Sequence, residues 1–485
     1  MINVITKKAV AIPSLRASVL GGSLQTGAVE ASYGHEAHGT EFLVNGSAFG
    51  TDGQKTFPVP GLGTARDLDT ESAWMTFGSV THGPWSVTGL HASRDKRIPT
   101  GAFGAVLDDR RTQTNDTRTY LDLVYDGQIR ETGLLWRAAY DYAGYDGLYI
   151  YPDEDGGAYR DDSRANWWST DLMLTRRVKT RHFLTGGGEY RNNARQNQHG
   201  GYLAADALTV NIEQASHVGA IFAQDEIAVA KRLSVTAGIR QDWNSASQGS
   251  TNVRFAGIIK PIAEASLKVL YGTAFRAPNP YELYYFPNPN GLTPERIRTT
   301  EVIWEQYAQR RVRMSISGFM YQAHDLISQV PDPVSPGDFI FANIEKANAA
   351  GLELEAEGAW RGGVHTLASY TFQNVHSDPD GHRLSNSPRH LFRSQVTGPI
   401  VPRVLFFGAE GLYTGDRLTI RNNVADGAFL GNLTLTTRSL SHAKLSLTVG
   451  NVFNRTYADP GAEEHPSDVI AQQGRTVRAK LTWRF

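Results

Sequence analysis

The stretch FRAPNPYELYYFPNPNG, residues 275–291, places Phe275, Tyr281, Tyr284, Tyr285 and Phe286 ahead of Asn288 and Asn290, with Arg276 as its one cation. Rings at this density bind flat ligands by stacking, and a few amides orient them. The competing use of such residues is packing within a loop or an aromatic girdle. A second stretch, YPDEDGGAYRDD, offers Asp153, Glu154, Asp155, Asp161 and Asp162. Their oxygens suit calcium, but the spacing of a helix-loop-helix calcium site is missing, so they read as solvated surface charge. His35 and His38 stand one residue too close for the two imidazoles of a zinc helix. Arg176, Arg177, Lys179 and Arg181 crowd one turn, where they suit lipid phosphates better than nucleic acid. Gly21, Gly22 and Gly27 lack the lysine and following helix of a phosphate loop. No GxSxG occurs, and no serine or histidine is marked by its neighbours as a nucleophile or base. The residues therefore predict a binding protein with no catalytic site, no metal site and no cofactor.

What positions these residues is legible in the last ten, TVRAKLTWRF. Val477, Ala479, Leu481, Trp483 and Phe485 share one face, and Arg478, Lys480, Thr482 and Arg484 the other. A period of two belongs to a strand, since a helix would smear it round its circumference. AKLSLTVGNVF, FLGNLTLTT, VRMSISGFM and LLWRAAYDY repeat the alternation. The pattern alone allows a soluble sandwich as well as a barrel with an apolar exterior. Composition leaves both open: 485 residues, net charge −1, 48 glycines, no cysteine and no run of 18 apolar residues. Transmembrane helices are excluded and transmembrane strands are not. Near-zero charge gives no argument for nucleic acid, and the first residues lack the order of charge and apolar core of a signal peptide.

Turn spacing decides. Short connections near 439–442, 399–403, 359–363, 309–311, 259–262, 230–232, 177–180, 127–130, 80–82 and 35–38 alternate with longer ones near 455–474, 415–428, 376–388, 325–349, 275–298, 192–214, 144–163, 94–113 and 51–67. The prediction is an all-β fold, a 22-stranded antiparallel transmembrane β-barrel with short periplasmic turns and long extracellular loops. Each strand needs roughly 9 to 11 residues to cross, which the first strand and the stretch near 252–258 only just meet. Such a cylinder has a diameter of about 40 Å, too wide for side chains to fill.

At this level the chain resembles the TonB-dependent receptors. The resemblance lies in INVITKKA at the start, YGTAFRAPNPYELYY, NPNGLTPERIRTTE, NIEKANAAGLELE, LSNSPRHL, and NVFNRTYADPG through QQGRTVRAKLTWRF, in family order from end to end. It implies an uptake receptor in the outer membrane of a Gram-negative bacterium. Its partners would be outer-membrane lipid, the barrel-insertion machinery and a small-molecule ligand such as a metal chelate: a siderophore, cobalamin or a similar scarce compound. Haem receptors of the family carry a histidine between their FRAP and NPNL elements, and this stretch has none. An INVITK-like segment closes the family's N-terminal plug, so 1–12 is expected to be a remnant of the plug-to-barrel junction and 13–485 the barrel, with TonB engaged only through a region ahead of it. A terminal aromatic is read by the insertion machinery, which makes Leu481, Trp483 and Phe485 the expected assembly signal. A passive wide pore and, less in keeping with the residues, a barrel enzyme are the alternative functions.

Overall fold

The computed structural model describes residues 6–12, 14–153, 156–204, 207–334, 339–378, 380–437 and 442–485. Twenty-two antiparallel strands form one sheet in which each pairs with its neighbours in the chain. The first strand, Ser14–Gly22, pairs with the last, Thr476–Arg484, in a register that sets Val19 opposite Leu481 and Ala17 opposite Trp483. That seam closes the cylinder and leaves no strand edge to be satisfied in hydrocarbon.

The two faces of the wall differ as the alternation requires. Val477, Leu481, Trp483 and Phe485 are exposed on the outside, as are Leu433, Leu435, Leu445 and Leu447. Their alternate neighbours meet inside. Thr434 and Thr448 bond through their hydroxyls at 3.2 Å, and Lys480 reaches Glu30 at 3.2 Å. Arg137 lies 2.8 Å from Asp122 and 3.4 Å from Asp171 across adjacent strands. Charges of opposite sign thus line the lumen, while aliphatic rows face outward. Trp85 packs edge-on against Tyr125 and Trp136 beside the 83–84 turn, forming part of an aromatic rim.

The strands that looked marginal form, as Ser14–Gly22 and Ser250–Ile259. Three predicted loops, however, are largely strand. Thr132–Ile150, Ala158–Val178, His182–Tyr202, Ala207–Ala230, Val312–Pro331 and Phe339–Ala359 run far beyond a membrane's thickness, leaving connections of only 151–157, 203–206 and 332–338. The outer connections 23–25 and 245–249 are short as well, so loop length does not alternate throughout. Above the lipid the ladder continues because its hydrogen bonds remain favourable, while neither face need be apolar. Composition there therefore looks like loop. A 21-residue strand at about 3.3 Å per residue and a tilt near 40° rises roughly 50 Å, twice an apolar band of about 25 Å.

The opposite rim carries the tight turns. At one of them His38 and Gly39 both take positive φ, 50° and 74°, as a two-residue hairpin requires, so His38 lies in a strand turn, His35 in the strand before it, and neither on a helix. Inside this rim Ala9 and Ile12 pack on Leu43, with Phe77 beside it. Gly34 has no side chain because the Ala9 and Ile12 carbonyls lie where a Cβ would stand. The inner wall is apolar here because residues 6–12 cover it.

Candidate functional site at the barrel mouth

Arg276 ends the strand Ala265–Arg276, and all three nitrogens of its guanidinium donate at the base of the 277–294 loop. Nε and one terminal nitrogen donate to the Glu295 carboxylate at 2.6 and 2.7 Å, and the other terminal nitrogen donates to Glu282 at 2.9 Å. Glu282 also accepts the Asn279 N–H at 2.8 Å, while the Asn279 side-chain oxygen accepts the Glu282 N–H at 2.9 Å, the reciprocal arrangement that starts a helical turn. The turn it starts is a single π-helical one, Tyr281–Tyr285. Arg276 is therefore a clamp holding the loop, with three of its five N–H donors committed to the two carboxylates. Charge-assisted bonds of this kind are each worth about 1.5–3 kcal/mol. Arg276→Ala is accordingly expected to speed chymotryptic cleavage within 281–286 by roughly tenfold or more while the barrel keeps its compact, heat-modifiable gel mobility. Unchanged cleavage would contradict the clamp.

The clamped turn presents its rings together. Tyr281 lies 4.8 Å from Tyr285 and 6.0 Å from Phe286, and Tyr285 lies 5.0 Å from Phe286. Phe341, from the strand Phe339–Ala359, closes on Tyr281 at 5.7 Å and on Phe286 at 6.3 Å. Asn288 donates to the Phe341 carbonyl at 2.7 Å, and its oxygen accepts the Asn290 N–H at 2.9 Å. These two asparagines thus shape the loop. Among the described residues neither Phe275 nor Tyr284 stacks on another ring.

Other rings arrive from distant parts of the chain. The Tyr285 hydroxyl is 3.4 Å from that of Tyr159, which is also 3.0 Å from the Thr209 hydroxyl. Tyr159, Tyr151 and Tyr202 form an edge-on trio at 5.0 to 6.4 Å. Tyr145 and Tyr149 share a hydrogen bond of 2.5 Å, and Phe103 stands edge-on to Tyr149 at 5.5 Å. The Phe103 N–H donates to the Glu464 carbonyl at 2.7 Å, which ties the 98–112 loop to the 451–475 loop. Burial pushes the phenols of Tyr281 and Tyr285 upward, so both stay neutral at any ordinary pH. Tyr151 is pushed up to about 12 by the same cause.

Phe103, Tyr145, Tyr149, Tyr159 and Phe341 escape notice in the sequence, because they lie 55 to 178 positions from the 281–286 turn and only the folded loops bring them near. One signal was available: tyrosines flank the acidic residues of YDGLYIYPDEDGGAY on both sides. Of those acids, Glu154 and Asp155 lie outside the described residues. Asp162 is 3.8 Å from both Arg164 and His199. Among the described residues no three acidic, histidine or cysteine side chains gather as a metal site.

A family model described as TonB dependent receptor-like, beta-barrel, matches residues 58–454. No curated protein matches by sequence. Solved structures that resemble the fold include the copper transporter OprC, with a TM-score of 0.79 and 16% identity over 98% of this chain and 81% of that one. The ferric-catecholate import receptor Fiu from Escherichia coli K12 gives 0.79 and 14%, over 98% and 82%. The ferric enterobactin receptor PfeA from Pseudomonas aeruginosa gives 0.79 and 16%, over 98% and 80%. At these identities the likeness shows the fold, and the family match covers most of the sequence. The chain belongs to the TonB-dependent receptors and forms their β-barrel.

Proposed function

We propose that this barrel captures a scarce small ligand, a metal chelate of the siderophore kind, cobalamin or a comparable compound, at the outer face of a Gram-negative outer membrane. Ligand would then pass through the lumen under TonB energy in the full-length protein. The observation that carries this reading is the convergence of rings from four outer segments above a wide, polar lumen. Tyr281, Tyr285 and Phe286 form its centre, Asn288 and Asn290 hold the loop, and Phe275, Arg276 and Tyr284 support it from the strand end and the turn. As a family member the chain is a transport protein and not an enzyme. We read 1–12 as the junction to a plug and 13–485 as the barrel, and the burial of Ala9 and Ile12 inside the lumen supports that division. Leu481, Trp483 and Phe485, on the outer face of the closing strand, are read as the insertion signal.

The test is binding by the purified chain in neutral detergent. Saturable binding of a ferric chelate or cobalamin below micromolar concentration, weakened at least tenfold by the double substitution Tyr281→Ala and Tyr285→Ala, is the expected result. No binding across a panel of such ligands, with free flux of large sugars through the chain in liposomes, would replace the receptor reading with that of a passive pore.

A further inference from the structure

Asp161 lies on the inner face of Ala158–Val178, near its outer end and well above the apolar band. Its ladder partners on both sides are glycines, Gly147 and Gly200. Each glycine is overlain by a tyrosine. A Cβ on Gly147 would stand 2.6 Å from the Tyr145 hydroxyl and 2.8 Å from the Tyr149 ring, and one on Gly200 would collide with the Tyr159 hydroxyl. Directly paired residues on adjacent strands have Cβ atoms about 5 Å apart, so these hydroxyls and rings close in around the carboxylate from both sides. Tyr285 caps the group through its 3.4 Å approach to Tyr159.

Among the described residues this carboxylate forms no ion pair. The arginines of the same strand end, Arg160 and Arg164, lie on its alternate face and reach Asp146 at 2.5 and 3.4 Å. Burial, with Asp162 and Asp146 nearby, raises Asp161 to about 6. Burial pushes the phenols of Tyr145, Tyr149 and Tyr285 upward, so they stay neutral, and Glu464, which acts on both Tyr149 and Tyr281, is a further acid. Asp161 is half-buried; a carboxylate withdrawn from water without a partner is costly, whereas a carboxylate amid tyrosine faces suits an alkylammonium group. The wider field has the same sign. By sequence the connections on the loop side hold 19 acidic and 10 basic residues, a net of −9, and the tight turns hold 2 and 11, a net of +9. That asymmetry draws cations to the mouth.

We propose that Asp161 and the tyrosines around it form a niche for an ammonium or similar cationic group, so that the mouth selects positively charged chelates over anionic ones. The proposal deepens the receptor reading, from which it takes only the place where ligand enters. Its test therefore begins with a probe that needs no transport: the methyl proton line of tetramethylammonium in the presence of the full chain in neutral detergent. The wild-type chain should broaden that line. Asp161→Asn, which is isosteric and checked for compact gel mobility, should abolish the broadening, and neutral neopentyl alcohol should show none. Broadening should also fall away below about pH 6, as Asp161 takes up its proton. Broadening that survives Asp161→Asn, or that neopentyl alcohol matches, overturns the proposal.

A second arm compares a monocationic ferric trihydroxamate, its neutral N-acetylated analogue and a trianionic ferric tricatecholate. At least tenfold preference for the cation, lost in Asp161→Asn, is expected. Tighter binding of the trianion overturns the selection while leaving the receptor reading intact. Binding of tetramethylammonium with no binding of any chelate supports the niche and removes the receptor reading.

Discussion

Ile316→Arg should lower the stability of the barrel in phospholipid vesicles by about 2–4 kcal/mol, the cost of an arginine on the lipid face near the bilayer midplane. Ile316 is 48% exposed and sits five residues into Val312–Pro331. Across the ladder it pairs with Trp304 on one side and Leu354 on the other, so three large apolar groups form one outward row. An arginine there has no acid within the row and must snorkel or thin the bilayer. Ser317→Arg, one residue on, points into the lumen opposite Glu353 and should change stability by less than about 0.5 kcal/mol. Urea titration of vesicle-inserted protein, followed by loss of the compact gel band, reads both. Equal effects from the two substitutions would contradict the assignment of faces.

The second large effect lies inside the lumen. Arg240 bridges two strands, donating to both Glu189 oxygens at 2.8 and 2.7 Å and to both Asp242 oxygens at 3.0 and 3.1 Å. Asp242 is only 4% exposed, so it depends on that guanidinium more than Glu189 does. Arg240→Met should cost about 3 kcal/mol, the low end of the range for stranding a buried charge, because lumenal water reaches the arginine. Adding Asp242→Asn should recover most of the loss, since the uncompensated charge then disappears. The same urea titration checks it. A double variant as unstable as the single one would mean that the arginine acts through packing on Phe222, whose ring lies 6.0 Å from it.

Much of this wall was legible in the residues themselves. Val477 through Phe485 alternate because lipid and water lie on opposite sides of one strand, and that constraint writes itself into every second position. Outside the bilayer the constraint lapses. Gln196 to Gly200 and Asp161 to Ser163 read as loop because neither face there must be apolar, although both stretches are paired strand. The candidate site was half legible. The ring density of Tyr281, Tyr285 and Phe286 is local and visible, and it forms one cluster. The engagement of Arg276 with Glu282 and Glu295 was hidden, since it depends on the pairing of Arg276 with Glu295 at the ends of two strands that read as loop there. The approach of Tyr159 to Tyr285, 126 positions apart, is a product of loop folding that no local pattern encodes. Nor does any spacing show that Gly147 and Gly200 flank Asp161, because that depends on the register of three strands.

The chain has no cysteine, so single cysteines can be introduced and spin-labelled one at a time along Thr476–Arg484. Collision rates with oxygen, which concentrates in lipid, and with a water-soluble nickel chelate should alternate with a period of two in vesicles. Oxygen should dominate at 477, 479, 481 and 483, and nickel at 478, 480 and 482. Uniform protection of the odd positions from both reagents would place those side chains in a dry core and contradict the barrel.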